Sequence, residues 1–327
     1  MNSKHVVVVG SSFAGFTAAV ELRRMLDERH QVTVISKSDE FLFMPSLIWV
    51  PFRLRTREDI TFAVGPALAR HGIRFRHDAV TRLDLDRRLI ATGTGDERYD
   101  YLVLATGSKP NYGAIPGLGP RGYTESIMTL PEAERARTAF DRFVAAPGPV
   151  VVGSVQGASS HAAAYEFLFS MACELRTRRL AERAPLTYLT GEPSLAHFGR
   201  GGLGSAVEIT AAFLDTLAIR AITSAAVQAI SPGEIRLADG QTLPFAYAML
   251  VPPLLGVDVV RACDQITNAS GFVRVNQFYQ TAPYPDVFAA GVAVAEGGSS
   301  TTEEMAKVVA NNIAAEIRGG TMIPRPS

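Results

Sequence analysis

The sequence predicts an α/β protein that contains two copies of a strand–turn–helix–strand module. The first copy opens the chain, where four valines at 6–9 precede a glycine-containing turn and apolar residues recur at helical spacing over 16–29. The second copy begins with a valine run at 150–152, and its helix is predicted over 162–175. Near the end, a buried strand at 287–291 precedes a helix at 302–318, with Thr301 or Thr302 and Glu304 as its cap. The 327 residues are enough for two domains.

The composition excludes several classes of protein. A 47% hydrophobic chain is not disordered, and 32 basic against 32 acidic residues leave no positive footprint for nucleic acid. Two separated cysteines make a disulfide framework or a cysteine-built metal site an unfavoured interpretation. There is no uninterrupted apolar stretch of about 18 residues, and the chain enters a strand too early for a signal peptide. We therefore expect a soluble, cytoplasmic enzyme.

The turn of the first module has the residues of a dinucleotide site. It is a variant of Gly-x-Gly-x-x-Gly in which Ser12 replaces the middle glycine, between Gly10 and Gly15. Gly10 permits a tight turn and Gly15 a close helix, whose N-terminal N–H groups can bind a pyrophosphate. Ser36 occupies the position where an acid usually binds ribose, with Lys37 or the backbone as substitutes, which disfavours NAD more than a flavin nucleotide. The alternative is a doubly wound fold whose first crossover is empty.

Six ordered segments resemble sulfide:quinone oxidoreductase, a flavoprotein family with two dinucleotide-binding domains. They lie at 10–15, 41–50, 99–107, 157–167, 197–199 and 288–295 and so cover essentially the whole chain. The resemblance implies two Rossmann-like dinucleotide-binding domains in three layers. It divides the chain into an FAD domain at 1–112 and 255–327, split in sequence around a second nucleotide-binding-like domain at 113–254.

The resemblance also implies a bound FAD. Its ADP part would lie on the first turn, its adenine and ribose near the end of the second strand, and its ring system beside two glycine-containing turns and the 41–50 segment. The residues implied are Gly10, Ser12, Phe13, Ala14, Gly15, Ser36, Lys37, Pro45, Ser46, Val80, Ala105, Thr106, Gly107, Gly291 and Val292. Val292 stands where many members of the wider superfamily have an aspartate.

The chain departs from this family in its sulfur chemistry. Family cysteines fall on Ser160 and Met128, and a third has no counterpart because the chain stops at Ser327. Serine oxygen forms neither a disulfide nor a persulfide, so we do not expect sulfide oxidation by the cysteine mechanism. Cys173 and Cys263 are predicted to be buried structural thiols. The family's C-terminal membrane-docking region is also missing, so we expect no membrane docking, and a partner subunit or a second copy could cover the flavin.

Three catalytic positions are considered, namely Glu166, His161 and Ser160. The resemblance directs Glu166 at the flavin, where its carboxylate could relay a proton; the alternative is a helix cap or an inter-domain salt bridge. His161 either lines the pocket or has a surface or packing role. We reject a hydrolase triad of the three, because neighbours on one helix do not face one another and no nucleophile elbow surrounds Ser160. His197 matches a family histidine near the acceptor site.

The predicted function is that of a soluble FAD-dependent oxidoreductase. It would pass two electrons through flavin to or from a quinone-like or other small organic molecule. One alternative is an FAD-binding subunit or regulatory module completed by a partner. Another is an NAD(P)H:acceptor reductase that uses the 153–157 turn, with Glu192 as a late ribose ligand. The apolar 41–52 segment is either a wall of the substrate pocket or a buried loop helix.

Overall fold

The computed structural model describes residues 3–198, 204–295 and 301–325, which form two compact units. The first unit comprises Met1–Leu42, Thr61–Lys109 and Leu255–Ser327, and the second comprises Phe43–Ile60 and Pro110–Leu254. The strands, in chain order, are β1 His5–Val9, β2 Gln31–Ser36, β3 Glu40–Leu42, β4 Thr61–Ala63, β5 Arg74–His77, β6 Val80–Asp84, β7 Leu89–Thr92, β8 Gly95–Arg98, β9 Tyr101–Leu104, β10 Ser108–Pro110, β11 Val150–Ser154, β12 Leu186–Thr190, β13 Arg220–Ile222, β14 Val227–Ser231, β15 Glu234–Leu237, β16 Thr242–Pro244, β17 Tyr247–Val251, β18 Leu254–Gly256 and β19 Val287–Ala289. The α-helices are α1 Phe13–Met25, α2 Arg57–Ile60, α3 Val64–Ala69, α4 Leu130–Ala145, α5 His161–Thr177, α6 Ala206–Thr216, α7 Asp258–Arg261 and α8 Thr302–Arg318.

The first unit has a parallel five-stranded sheet of order β19-β9-β1-β2-β5. Successive valines of β1 point to opposite faces, so Val6 and Val8 join one core with α1 and α8, while Val7 and Val9 join another with the antiparallel β6-β7-β8 sheet. Burial on both faces explains why β1 is a continuous apolar run. Helix, parallel sheet and antiparallel sheet are the three layers that the resemblance implies.

Two helix ends show how local chemistry sets the boundaries in this unit. Helix α8 starts as predicted, because Thr301 and Glu304 form a reciprocal capping box. Helix α1 ends at Met25, earlier than the predicted 29, and the Arg23 guanidinium donates a 2.7 Å hydrogen bond to the carbonyl of His30. This contact holds the turn that leads into β2.

The second unit repeats the architecture with a parallel sheet of order β13-β12-β11-β17. One face packs on a core that includes residues of α4 and α5, and the other face packs against the antiparallel β14-β15-β16 sheet. Tyr188 of β12 lies fully buried on the helix side, and Leu189 lies on the other side.

The segment Phe43–Ile60 belongs to the second unit, whereas the sequence division assigns it to the first domain. Its 3₁₀ helix Met44–Trp49 buries Leu47 and Ile48, and the ring of Phe52 lies 5.0 Å from that of Phe140 and 5.1 Å from that of Phe167. These aromatic contacts, which no local pattern encodes, explain the difference. The segment therefore includes a short helix that begins exposed at Met44 and is buried at Leu47 and Ile48.

Candidate functional site

The first candidate site is the turn between β1 and α1. Gly10 has φ of 109°, and a Cβ there would lie 2.2 Å from the carbonyl oxygen of Ala105. A Cβ on Gly15 would lie 1.9 Å from the carbonyl oxygen of Gly10. Only glycine fits either position, as the motif predicts. Ser12 is the N-cap residue of α1 and its side chain makes no capping hydrogen bond, so its hydroxyl does not satisfy the N–H groups of the first helical turn.

Polar groups surround this turn at the carboxyl ends of the parallel strands. At the end of β2, the Ser11 hydroxyl donates a 2.9 Å hydrogen bond to the hydroxyl of Ser36, and both residues are buried. After β9, the Thr106 hydroxyl is buried and has no hydrogen-bond partner among the described residues. Gly107, with φ of 68°, has open space beside its Cα. Ligands of open α/β sheets bind at this edge.

The turn after β19 completes this edge of the sheet. Gly291 has φ of 71°, and a Cβ there would lie 2.8 Å from the Cβ of Ala14. Val292 is 51% exposed. The small residues at 291 and 14 thus allow the last turn to approach the start of α1.

The remaining predicted cofactor residues have different surroundings. Lys37 is exposed, and its carbonyl contacts the His77 ring at 3.2 Å. Val80 is half-buried against the core that β1 shares with β6 and β7. Pro45 and Ser46 lie in the second unit, where Ser46 is buried in the 3₁₀ helix. Phe13 stacks edge-on against Phe41, with ring centroids 5.0 Å apart.

The carboxyl edge of the second unit's sheet is filled by a buried polar network. The Ser154 hydroxyl, at the end of β11, lies 2.8 Å from Nδ1 of His161 and 3.1 Å from Oγ1 of Thr190. Thr190 in turn donates a 2.9 Å hydrogen bond to Glu192, whose carboxylate also lies 3.7 Å from His161. The Glu192 side chain is 1% exposed. We define these residues, with Tyr165, as the Glu192 network.

A backbone N–H and a tyrosine hydroxyl donate further hydrogen bonds to the Glu192 carboxylate. The Phe198 N–H donates to it at 2.7 Å, and the Tyr165 hydroxyl donates at 3.2 Å. Tyr165 itself accepts a 2.8 Å hydrogen bond from the Ala196 N–H, and burial raises its pKa to about 12. The neighbouring Gln156 side chain pairs with both the N–H and the carbonyl of Val227. The Glu192 carboxylate thus binds backbone and side-chain donors of the protein itself and stabilises the loop that follows β12.

The predicted catalytic residues are not brought together. His161 is buried in the Glu192 network, whereas Ser160 is the N-cap residue of α5 and its side chain makes no capping bond. Glu166 is exposed on α5, and its side chain makes no hydrogen bond or ion pair with any residue that the structure describes. The triad is therefore absent within 160–166, and His161 has a structural partner. His197 is half-buried, beside the loop bound by Glu192.

The two cysteines behave differently from each other. Cys263 is buried, as predicted, and burial raises the pKa of its thiol. The prediction for Cys173 was wrong, because that thiol is exposed on α5. The apolar residues around it in sequence lie on the buried face of the helix, and Cys173 lies outside that face. No group of three or more metal-ligating side chains occurs among the described residues, and none of their helices is long and apolar enough to cross a membrane.

The sequence contains a partial signal for the Glu192 network. Ser154 and Thr190 are polar residues at the last positions of two largely apolar strands, which marks the carboxyl edge of the sheet. The role of Tyr165 could not be read in this way, since an aromatic residue at helical spacing is typical of a core.

Fold and turn together define a dinucleotide-binding α/β protein of two modules. Residues 4–310 match the model of the pyridine nucleotide-disulphide oxidoreductase family, and the chain belongs to that family. The sulfide-quinone reductase of Aquifex aeolicus is 33% identical to this chain. The alignment covers 97% of this chain and 77% of the Aquifex protein. The X-ray structure of the Aquifex sulfide:quinone oxidoreductase superposes with a TM-score of 0.92 at 32% identity, over 97% of this chain and 78% of that one.

A second relative is named for a different activity. An NADH dehydrogenase-like protein of Mycobacterium tuberculosis is 29% identical over 88% of this chain and 72% of its own length. The comparisons confirm the predicted fold class, the resemblance to sulfide:quinone oxidoreductase, and the prediction of a flavoprotein oxidoreductase.

Proposed function

We propose that the first unit binds FAD at the edge formed by Gly10, Gly15, Thr106 and Gly291. The observation that carries this proposal is the buried hydroxyl of Thr106, which has no hydrogen-bond partner in the described part of the chain and lies beside a turn that excludes any Cβ at Gly10. A buried hydroxyl without a partner costs free energy unless a ligand supplies one. Glycine turns and an uncapped helix start accommodate a pyrophosphate, so the residues present fit the group. When bound, FAD supplies reversible two-electron redox chemistry.

We further propose that the electron partner is a quinone-like or other small organic molecule. The Aquifex relative is named for a quinone, which supports this class of partner. The same relative is named for sulfide, but Ser160 and Met128 stand at the positions where the family resemblance implies cysteines. Cys263 is buried with a raised thiol pKa, so it is a poor nucleophile. Sulfide oxidation by the cysteine mechanism is therefore not proposed.

The Glu192 network argues against NAD(P)H as the electron donor. An acid near the end of the second strand binds ribose hydroxyls in dinucleotide-binding folds. Glu192 is already surrounded by the Phe198 N–H and by the hydroxyls of Thr190 and Tyr165. Binding a ribose would require breaking these bonds in a side chain that is 1% exposed.

Glu166 is the residue that we propose for proton transfer. Its carboxylate is exposed and has no partner among the described residues, so it can exchange protons with solvent and with a bound substrate. Ser160 and His161 are not given a proton-transfer role. His161 is held by Ser154, and serine hydroxyls without a neighbouring base are weak acids and bases.

The test is an anaerobic titration of the purified flavoprotein with three donors, each followed by the flavin absorbance. We expect a reduced quinone to bleach the flavin and sulfide and NADH to leave it oxidised at equal concentrations. Turnover with sulfide would contradict the cysteine argument, and bleaching by NADH would contradict the argument from Glu192. A flavin that no donor reduces would favour a non-redox, partner-completed module, and a protein that takes up no FAD would overturn the proposal.

A further inference from the structure

The second unit contains a cavity whose lining residues have no role in the proposed redox chemistry. It has a volume of about 210 Å³ and lies at the amino end of β17, against the last turns of α4. The Glu192 network lies at the carboxyl ends of β11 and β12, so the cavity is at the opposite edge of the same parallel sheet. An apolar cavity of about 150 Å³ is enough to hold benzene, so this one can hold a small aromatic molecule.

Two buried polar atoms of cavity-lining residues have no hydrogen-bond partner in the part of the chain that the structure describes. The carboxylate oxygen Oε2 of Glu125 and the hydroxyl of Tyr247 are both buried, and neither makes a hydrogen bond within the described residues. Tyr247 is 3% exposed, and its ring is held by Phe140 and Phe143 at centroid distances of 6.2 and 5.7 Å. Buried polar atoms without partners are uncommon in folded proteins, and each needs an explanation.

The backbone fixes Glu125 in this position. Its N–H donates a 2.7 Å hydrogen bond to the carbonyl of Ala248, and the residue extends the edge of the sheet beside β17. The backbone of Glu125 is therefore held at the sheet edge that borders the cavity. Burial raises the pKa of Glu125, and the nearby Arg135 and Arg142 partly oppose that rise.

A cation whose charge acts on Glu125 also lines this cavity. Arg142, in the last turn of α4, lines it and makes no ion pair or hydrogen bond through its side chain with the described residues. The neighbouring acid, Asp141, is taken by Arg53 at 2.7 Å. The remaining wall includes the apolar side chains of Phe143, Ala139 and Phe245. The cavity thus combines an available guanidinium, an acceptor–donor pair and an aromatic surface.

We propose that this cavity binds a small aromatic acid that carries a hydroxyl group. The ligand carboxylate would pair with Arg142, the residue type that best matches a planar carboxylate. The ligand hydroxyl would donate to Oε2 of Glu125 and accept from the hydroxyl of Tyr247, which satisfies both orphaned atoms. Its ring would pack against Phe143. A simple carboxylate would leave Glu125 without a donor, and a simple phenol would leave Arg142 unpaired.

The test uses full-length flavin-loaded protein and three matched probes: 4-hydroxybenzoate, benzoate and phenol. Binding is measured by calorimetry and by ligand-observed NMR. We expect 4-hydroxybenzoate to bind most tightly, and loss of either its carboxylate or its hydroxyl to weaken binding about tenfold, the effect of one charge-assisted hydrogen bond. Flavin content and reduction are followed in parallel, and they test the redox proposal independently of this one.

Two variants should each weaken the binding of a different pair of probes. Arg142→Gln is expected to weaken binding of 4-hydroxybenzoate and benzoate but not of phenol. Tyr247→Phe is expected to weaken binding of 4-hydroxybenzoate and phenol but not of benzoate, and it should fold normally because it removes a hydroxyl that has no partner among the described residues. Arg176→Gln, at an exposed arginine in the last turn of α5, is the matched control and should change nothing.

Two results would overturn the proposal. One is the absence of binding by all three probes, which would indicate a cavity filled by water alone. The other is binding of 4-hydroxybenzoate that survives both Arg142→Gln and Tyr247→Phe, which would place the probe elsewhere on the protein.

Discussion

The backbone N–H of Phe198 donates a 2.7 Å hydrogen bond to the carboxylate of Glu192. Phe198 has a backbone φ of 50° and Ala196 one of 53°, values that few residues other than glycine adopt. Two residues in an unfavourable backbone region need surroundings that hold them there. The Glu192 carboxylate accepts a hydrogen bond from the Phe198 N–H, and the Tyr165 hydroxyl accepts one from the Ala196 N–H. These two side chains therefore hold the loop after β12 in its conformation.

We predict that Glu192→Gln lowers stability without changing nucleotide binding. The amide replaces one acceptor oxygen by an N–H group that would face other donors, which costs about 1–3 kcal/mol in free energy of unfolding. Urea unfolding measures this loss, and Glu174→Gln, which breaks only the helical pair with Arg178, is the control. An NADH affinity that is measurable in the unmodified protein and lost in Glu192→Gln would contradict the prediction.

Thr106→Val should separate cofactor binding from stability. Because the Thr106 hydroxyl has no partner among the described residues, removing it should leave the stability of the flavin-free protein unchanged or slightly higher. The FAD dissociation constant should rise about tenfold. Fluorescence titration of flavin-free protein gives the dissociation constant and urea unfolding gives the stability, and Thr106→Ser, which keeps the hydroxyl, should bind FAD as the unmodified protein does. Equal affinity in Thr106→Val would remove the main support for the site.

Gly10→Ala should abolish flavin retention, because the new methyl group would lie 2.2 Å from the carbonyl oxygen of Ala105. Gly72→Ala is a matched control, since Gly72 has φ of 70° but no atom lies within 4 Å of the position that a Cβ would take there. The free energy of unfolding of this control should fall only by the cost of placing a Cβ on a left-handed backbone, about 1–2 kcal/mol. The flavin-to-protein absorbance ratio and the unfolding midpoint are the measurements. Similar losses in both variants would show that the close approach at Gly10 is unimportant.

Glu166→Gln should slow flavin reduction without destabilising the fold. The side chain is exposed and unpaired among the described residues, so its replacement should change the unfolding free energy by less than about 0.5 kcal/mol. A lost proton relay typically slows the step by about 100-fold or more and flattens its dependence on pH. Stopped-flow reduction across pH measures both effects. An unchanged rate and pH profile would leave Glu166 as a surface residue.

The two thiols should differ in their reaction with a disulfide reagent. Cys173 should react in the folded protein, whereas Cys263 should react only after unfolding, because it is buried and its thiol pKa is raised. Colorimetric thiol counting before and after denaturant tests this. Cys173→Ser should remove the native signal and leave flavin reduction by a quinol intact. Loss of that reduction would mean that Cys173 participates in the chemistry.

Much of the fold could be read from the sequence, because the relevant signals are local. The valine run of β1, the glycines at 10 and 15, and the threonine cap of α8 each require only a few neighbouring residues. Their positions relative to a sheet edge then follow from the rule that parallel strands share their carboxyl ends.

The remainder depended on contacts between residues that are distant in the chain. Glu192 looked like a ribose ligand because its sequence position suits that role, and only the contacts from Phe198 and Tyr165 show that it is occupied. Cys173 looked buried because its helix is apolar, but the orientation of that helix was not encoded in composition. Likewise, Glu125 and Tyr247 are far apart in sequence and line one cavity only in the folded chain.

The excursion of Phe43–Ile60 into the second unit has a consequence for synthesis of the chain. Phe52 leaves the ribosome well before Phe140 and Phe167, the rings on which it packs. At translation rates of about 5–20 residues per second, this apolar segment waits for several seconds without its partners. A fragment beginning at residue 110 would lack Phe52 altogether and leave those two rings uncovered. Residues 110–254 alone therefore cannot complete this part of the core of the second unit.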